Sequence, residues 1–228
     1  PEHARLRTVA VSALSDEIIH IMAPTVSQIC DTLIDAFPQD SPFDLQSTFA
    51  DKVPGITLMR LLGLPDDMLE QVQKWARDVD GLFHARRDRS IEDAAETAAH
   101  EFTEFMQDHL SKLRSGPETE GFLGRIVGSY NTLADEEIIA LALLILQAGT
   151  GATAYALGTA IYTISDHPER KLALTPDQIE ATVSECLRFR TPFHIMRRYA
   201  QEDVTLLETS FSRHTQIGCL IGSACHDD

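Results

Sequence analysis

An uncharged stretch over residues 138–164 constrains the fold more than any other feature. Three acidic residues at 135–137 precede it, and acidic side chains are favoured in the first turn of a helix. Residues 140–144 are alanine and leucine, which form helices well and are not β-branched. We therefore predict one long central helix over residues 135–165.

The same stretch contains a second possible pattern, because Gly149, Gly151 and Ala154 fit G-x-G-x-x-A. That fingerprint binds a dinucleotide only where a strand precedes it and an acidic residue ends a second strand about 20 residues later. Neither strand is evident, so the helix is favoured. A glycine inside a helix lowers the stability of the helix by about 1 kcal/mol relative to alanine, so the presence of two glycines requires an explanation. Close packing of another helix would be one reason, and a flat ligand against that face would be another.

Charge and polarity limit the other classes of protein. A helix of this length could cross a membrane, but Gln147, Thr150 and Thr153 are polar and no basic flank follows. We expect a core helix, no membrane and a cytoplasmic protein. The formal net charge of −16 argues against a nucleic-acid partner, since phosphate binding needs clustered Lys and Arg.

The rest of the chain shows mostly helical periodicity. Further helices are predicted over the following segments: 54–62, 66–84, 91–114 and 176–189. Pro24 is expected to divide an earlier helical stretch in two. Two or three short strands are predicted near the C-terminus. We expect a single partial domain over residues 1–228, mostly helical over 1–200 and with short strands over 201–228.

Four short motifs occur in a recognisable order. They are His3 and Arg7 as H-x-x-x-R, Ala148-Gly149 in the central helix, Glu185 and Arg188 as E-x-x-R, and Arg198 in "RRYAQEDVTL". In this combination the chain resembles the bacterial cytochromes P-450, the haem-thiolate monooxygenases. The resemblance extends over the whole chain and implies an incomplete, mainly α cytochrome P-450-like fold with a small β region near the C-terminus.

The resemblance also implies a cofactor and its contacts. Haem b would be bound with His3, Arg7 and Arg198 near its propionates, and Ala148 and Gly149 would let the porphyrin approach the helix. Glu185 and Arg188 would form a structural brace. The thiolate ligand of the family lies in a motif that none of the four cysteines matches, so no metal ligand is assigned in this chain.

The chain departs from the family at the catalytic acid–alcohol pair. These two positions are occupied by Gly151 and Ala152, whose side chains cannot deliver protons. Thr153 or Thr150 is the candidate substitute, and a hydroxyl of the substrate is another. Without a relay, use of peroxide or uncoupled turnover is expected.

Two functions remain open from sequence. The first is a cytochrome P-450 monooxygenase that oxidises a small lipophilic molecule, such as a secondary metabolite, with a ferredoxin-type redox partner. Leu144, Gln147, Phe193 and Ile195 would then face the substrate, or would otherwise be plain core. The second is a haem-free homologue that binds or activates another enzyme, such as a glycosyltransferase.

Overall fold

A computed structural model describes residues 2–83, 88–116, 121–129, 133–167 and 174–227. The chain divides into two compact units, Pro1–Ala154 and Tyr155–Asp228. Each unit has its own packing and is considered by itself.

The first unit is helical throughout the part described. Its α-helices are α1 (Glu2–Ala13), α2 (Asp16–Asp35), α3 (Lys52–Leu62), α4 (Leu69–Asp80), α5 (Arg89–Ser115), α6 (Phe122–Ser129) and the first part of α7 (Asp135–Asp166). Shorter helical turns cover Gln46–Ala50, Asp66–Met68 and Gly81–Phe83. The predicted helices at 54–62 and 91–114 are therefore confirmed as α3 and α5.

The predicted helix over residues 66–84 is shorter and is divided. Its α-helical part is α4, with a short turn of tighter helix on each side, and His84 lies outside the described residues. The segment after Leu62 breaks because Gly63 takes a left-handed conformation with φ of 77°. Glycine tolerates this conformation and commonly ends helices in this way.

Helix α7 runs without a break from Asp135 to Asp166, which confirms the long helix predicted over 135–165. Gly149 and Gly151 lie inside it, so the strand-turn-helix unit of a dinucleotide site is excluded. By length and composition α7 could also cross a membrane, although only 33% of its most apolar window is buried in the structure. The core helix of a soluble protein passes the same test, so this finding is weak evidence for a membrane span.

The core of the first unit forms where α4 and α5 pack together. Trp75 of α4 lies with its ring centroid 5.9 Å from that of Phe102 and 5.7 Å from that of Phe105. Its indole nitrogen donates to Glu101 Oε2 at 2.7 Å, so the polar end of the ring is satisfied. Fully buried Met59, Leu62, Met106, Leu110, Phe122, Leu123, Ile126 and Ile138 extend this cluster across α3, α5, α6 and α7.

The prediction that Pro24 divides a helix is wrong. Helix α2 continues through Pro24, whose ring lies on an exposed face. The break comes earlier, at Leu14 and Ser15, where the axes of the two helices bend by 51°. Ser15 is the extended residue before α2, and Asp16 and Glu17 supply the acidic first turn that starts the new helix.

The second unit contains the end of α7, helix α8 (Ile179–Phe189) and two small antiparallel sheets. Strand β1 (Met196–Tyr199) pairs with β4 (Gln216–Cys219), and β2 (Val204–Leu206) pairs with β3 (Thr209–Phe211). A short helix, α9 (Ile221–Ala224), follows. The β region is confirmed, but the described residues hold four strands rather than two or three, and the first begins before residue 201.

His109 of α5 lies in an unusual environment. Its Nε2 atom is buried and has no hydrogen-bond partner in the described part of the chain. The imidazole stacks on Phe105 with ring centroids 6.1 Å apart. Burial lowers the pKa of His109, and the charge of Lys112 lowers it further, against smaller opposing effects of Asp108 and the Gly63 backbone.

We predict that this histidine makes the protein less stable in mild acid. The folded state binds the proton more weakly than the unfolded chain, whose histidine has a pKa of 6.5. The stabilising contribution is therefore complete above pH 6.5 and is lost as the pH falls below it. Urea unfolding at pH 7.5 and pH 5.5 should show a smaller loss of stability for His109→Phe than for the wild type.

The control is His100→Gln, a change at an exposed histidine of the same helix. It should keep the wild-type difference between the two pH values. If His109→Phe also keeps that difference, the proposed effect of His109 is wrong.

Candidate functional site

The side of α7 that faces away from the core is apolar and lined by small residues. Leu144 is 56% exposed, and Ala148 and Gly151 are also exposed. Spacings of four and three place these residues on one face of the helix. On the opposite side Ala142 and Leu146 are buried in the core. The open face of α7 is defined here by Leu144, Ala148 and Gly151, and the expectation of a fully buried central helix is corrected accordingly.

The two glycines of α7 have different environments. A Cβ atom on Gly149 would lie 2.9 Å from Leu58 Cδ1, so the Leu58 side chain of α3 occupies the space beside this glycine. A Cβ atom on Gly151 would meet nothing within 4 Å. Helix packing therefore accounts for Gly149, whereas Gly151 borders open space at which a flat ligand could lie.

The two candidate substitutes for the acid–alcohol pair lie away from the open face. The Thr150 hydroxyl donates to the Leu146 carbonyl of its own helix at 2.6 Å. Thr153 follows Gly151 by two residues, which turns its side chain about 200° round the helix. The half-buried Ala152 carries no ionisable group. The catalytic roles of Thr150 and Thr153 stay predictions.

Gln147 lies between Leu144 and Gly151 on α7 and is half-buried. Its Nε2 donates to Asp80 Oδ1 at 2.9 Å, a bond that ties α7 to the last residue of α4. Asp80 was missed by sequence reasoning. The sequence shows only that an acidic residue ends the amphipathic helix α4. Nothing in the sequence indicates that this residue contacts Gln147, which lies 67 positions further along the chain.

Helix α1 carries the predicted propionate ligands. His3 and Arg7 are both exposed and share one face, while Val9 and Ala13 on the other face join the core. In the described part of the chain Arg7 forms no ion pair with a carboxylate. Arg5 instead pairs with Glu137 of α7 and lowers the pKa of that carboxyl group. Arg7 thus remains suited to an anionic ligand.

In the second unit, the predicted Glu185–Arg188 pair forms within α8. Arg188 Nε donates to Glu185 Oε2 at 2.7 Å and Arg188 Nη2 to Oε1 at 2.8 Å. The remaining Nη1 donates to the Cys225 carbonyl at 2.5 Å. These bonds to Glu185 raise the pKa of Arg188. Through Arg188 the pair connects α8 to the segment that follows α9, and its role as a structural brace stays a prediction.

The other predicted residues of the second unit are exposed. Arg198 lies on β1 opposite Ile217, and its Nη1 donates to the Arg197 carbonyl at 2.9 Å. Phe193 is 49% and Ile195 is 60% exposed, just before that strand. Arg198 forms no ion pair in the part of the chain described by the structure. Its predicted role at a haem propionate stays a prediction.

Sequence reasoning also missed Arg190. Its guanidinium carbon lies 4.5 Å from the centroid of the Tyr162 ring, a cation–π contact. Its Nη2 is 3.8 Å from Asp166 Oδ2. These contacts hold the end of α8 to the end of α7 within the second unit. None of the described residues forms a group of three or more His, Cys, Asp or Glu suited to a metal ion.

Comparisons with known proteins identify the fold as that of the cytochromes P450. No family model matches the chain. Cytochrome P450 165B3 of Amycolatopsis orientalis is 29% identical over 233 residues, covering 100% of this chain and 56% of that protein. The polyketide biosynthesis cytochrome P450 PksS of Bacillus subtilis is 26% identical, with the same two coverages. The ligand-free structure of cytochrome P450 TbtJ1 is 30% identical with a TM-score of 0.89, covering 100% of this chain and 61% of that one.

Over its whole length the chain is similar to bacterial cytochromes P450, the class that the motifs predicted. It spans about 60% of the length of these relatives. Haem is the cofactor that the family implies, and three features of this structure fit it. In the first unit they are the exposed His3 and Arg7 and the open space beside Gly151 on α7; in the second unit, taken by itself, it is the exposed Arg198.

We predict opposite responses of the two glycines of α7 to alanine. Gly151→Ala should stabilise the protein by up to about 1 kcal/mol, because alanine has the higher helix propensity and its Cβ enters open space. Gly149→Ala should gain less than this or destabilise, because the new methyl group displaces Leu58. Chemical unfolding of both variants measures the difference. Equal gains would show that α3 does not constrain Gly149.

Proposed function

We propose that the protein is a cytochrome P450-type haem monooxygenase that oxidises a small lipophilic molecule. The observation that carries this proposal is the open face of α7. Leu144, Ala148 and Gly151 form an apolar strip on which a flat cofactor and an apolar substrate could both lie. Burying such a surface against a ligand is favourable by roughly 25 cal/mol per Å² of apolar area.

The chain's own residues would hold the cofactor at its edges and at its face. By the resemblance to the family, His3 and Arg7 of the first unit are candidate ligands of a propionate, and Arg198 of the second unit is a separate candidate, since basic donors form strong charge-assisted bonds with carboxylates. Ala148 and Gly149 stay predicted cofactor contacts, and the side-chain direction of Ala148 fits this role better than the contact of Gly149 with Leu58. When bound, haem supplies the activation of dioxygen that allows an oxygen atom to be inserted into a substrate bond.

Proton delivery in this protein would differ from that of the family. Gly151 and Ala152 can neither donate nor order a proton, and Thr150 already donates to its own helix. The open space beside Gly151 would instead admit water or a hydroxyl group of the substrate. We therefore infer that a hydroxyl group of the ligand or a water molecule replaces the acid–alcohol pair. We also infer that part of the reductant is consumed in reducing dioxygen to hydrogen peroxide instead of oxidising the substrate.

The names of the relatives support a proposal about substrate and partners. Two similar proteins carry polyketide and biotin biosynthesis in their names, and one similar structure is a complex with an acyl carrier protein bearing a long fatty acid. For this chain we propose a lipophilic biosynthetic intermediate as substrate, a ferredoxin-type electron donor and a cytoplasmic location. The haem-free binding partner considered from sequence receives no support from these comparisons.

Loss of the α1 cations should weaken haem binding in the full-length protein. His3→Ala with Arg7→Ala removes two charge-assisted bonds to propionates, each of which typically contributes more than 1 kcal/mol. Haem should therefore dissociate about tenfold faster or more, as measured by transfer to apomyoglobin.

The control is His20→Ala, an exposed histidine on α2. It should leave the dissociation rate unchanged. An unchanged rate in the His3 and Arg7 variant would contradict the role of α1 in holding the cofactor.

A further inference from the structure

Gln147 adjoins the open face of α7, and it is the one amide side chain among the described residues of that helix. It follows Leu144 by three residues and precedes Gly151 by four, so all three lie in one row along the helix. It is half-buried, while its neighbours in this row are exposed. A polar group in this position would contact any ligand that covers the open face.

The hydrogen bond to Asp80 fixes the orientation of this amide. A carboxylate only accepts hydrogen bonds, so the nitrogen end of Gln147 must face Asp80, and the structure places it 2.9 Å from Oδ1. The carbonyl oxygen, Oε1, is then turned away from Asp80. Within the described part of the chain it accepts no hydrogen bond, so one acceptor is presented in a defined direction.

Gly151 leaves this acceptor uncovered. Side chains on a helix lean towards its N-terminus, so a side chain at position 151 would cover the surface around residue 147. Glycine provides none, and a Cβ atom built on it would meet no atom of another segment within 4 Å. The same substitution that removes the acid of the family's relay therefore opens access to Gln147.

We propose that Gln147 Oε1 determines specificity by accepting a hydrogen bond from a hydroxyl or N–H group of the substrate. Asp80 is the positioning residue that holds the amide in this orientation. This inference rests on the proposed function and narrows its substrate class to lipophilic molecules that carry a hydrogen-bond donor. A buried acceptor left without a donor costs free energy, so ligands lacking the donor are rejected.

A pair of ligands that differ only in the donor tests this assignment. Cyclododecanol and cyclododecanone have the same ring, but only the alcohol can donate. Calorimetric titration of the full-length wild-type protein should show about tenfold tighter binding of the alcohol, the effect of one hydrogen bond. In Gln147→Leu the preference should vanish, with binding of the ketone kept or improved.

The variant Asp80→Ala tests whether Asp80 acts by orienting the Gln147 amide or only by stabilising the protein. It should lower the preference for the alcohol several-fold while leaving the affinity for the ketone nearly unchanged, since a merely structural loss would weaken both. Gln107→Leu, at an exposed glutamine of α5, is the matched control and should keep the wild-type ratio.

Equal wild-type affinities for the two ligands, including no measurable binding of either, would overturn the inference. So would a preference that survives Gln147→Leu. The haem content of the same preparations is measured separately by absorbance. If the protein contains haem but shows no preference for the alcohol, only the role of Gln147 is contradicted. If the protein is folded but contains no haem, the proposed function itself is contradicted.

Discussion

The contact between Gly149 of α7 and the Leu58 side chain of α3 lies on the core side of the central helix, opposite its open face. At this contact even a Cβ atom would lie only 2.9 Å from Leu58. With α3 on this side, Ala142 and Leu146 are buried and Leu144, Ala148 and Gly151 face outwards. Because residues two apart on a helix point in nearly opposite directions, Gly149 and Gly151 serve opposite surfaces.

The open face explains several other features of the first unit. The open face is apolar, and there is free space beside Gly151. The amide of the adjoining Gln147 is oriented by its hydrogen bond to Asp80 at the end of α4. On α1, Arg5 pairs with Glu137 and leaves the exposed His3 and Arg7 on the same helix for an anionic ligand. A flat, acidic cofactor lying against the apolar surface, as proposed above, would account for these arrangements together.

Local sequence signals predicted the backbone better than they predicted the site. The acids at 135–137 and the alanines and leucines after them were sufficient for α7, and E-x-x-R spacing was sufficient for the Glu185–Arg188 pair. Pro24 was misjudged because its exposed ring and the break at Ser15 depend on how α1 and α2 pack. Leu58 and Asp80 could not be found from sequence, since their partners lie far along the chain and are set by tertiary packing.

The central claim is that the open face of α7 belongs to a haem-binding monooxygenase. The most direct measurement is the difference spectrum of the reduced full-length protein with and without carbon monoxide. The account predicts a Soret band at the position typical of thiolate-ligated haem. A folded protein that shows no haem spectrum, even after reconstitution with haem, would contradict it.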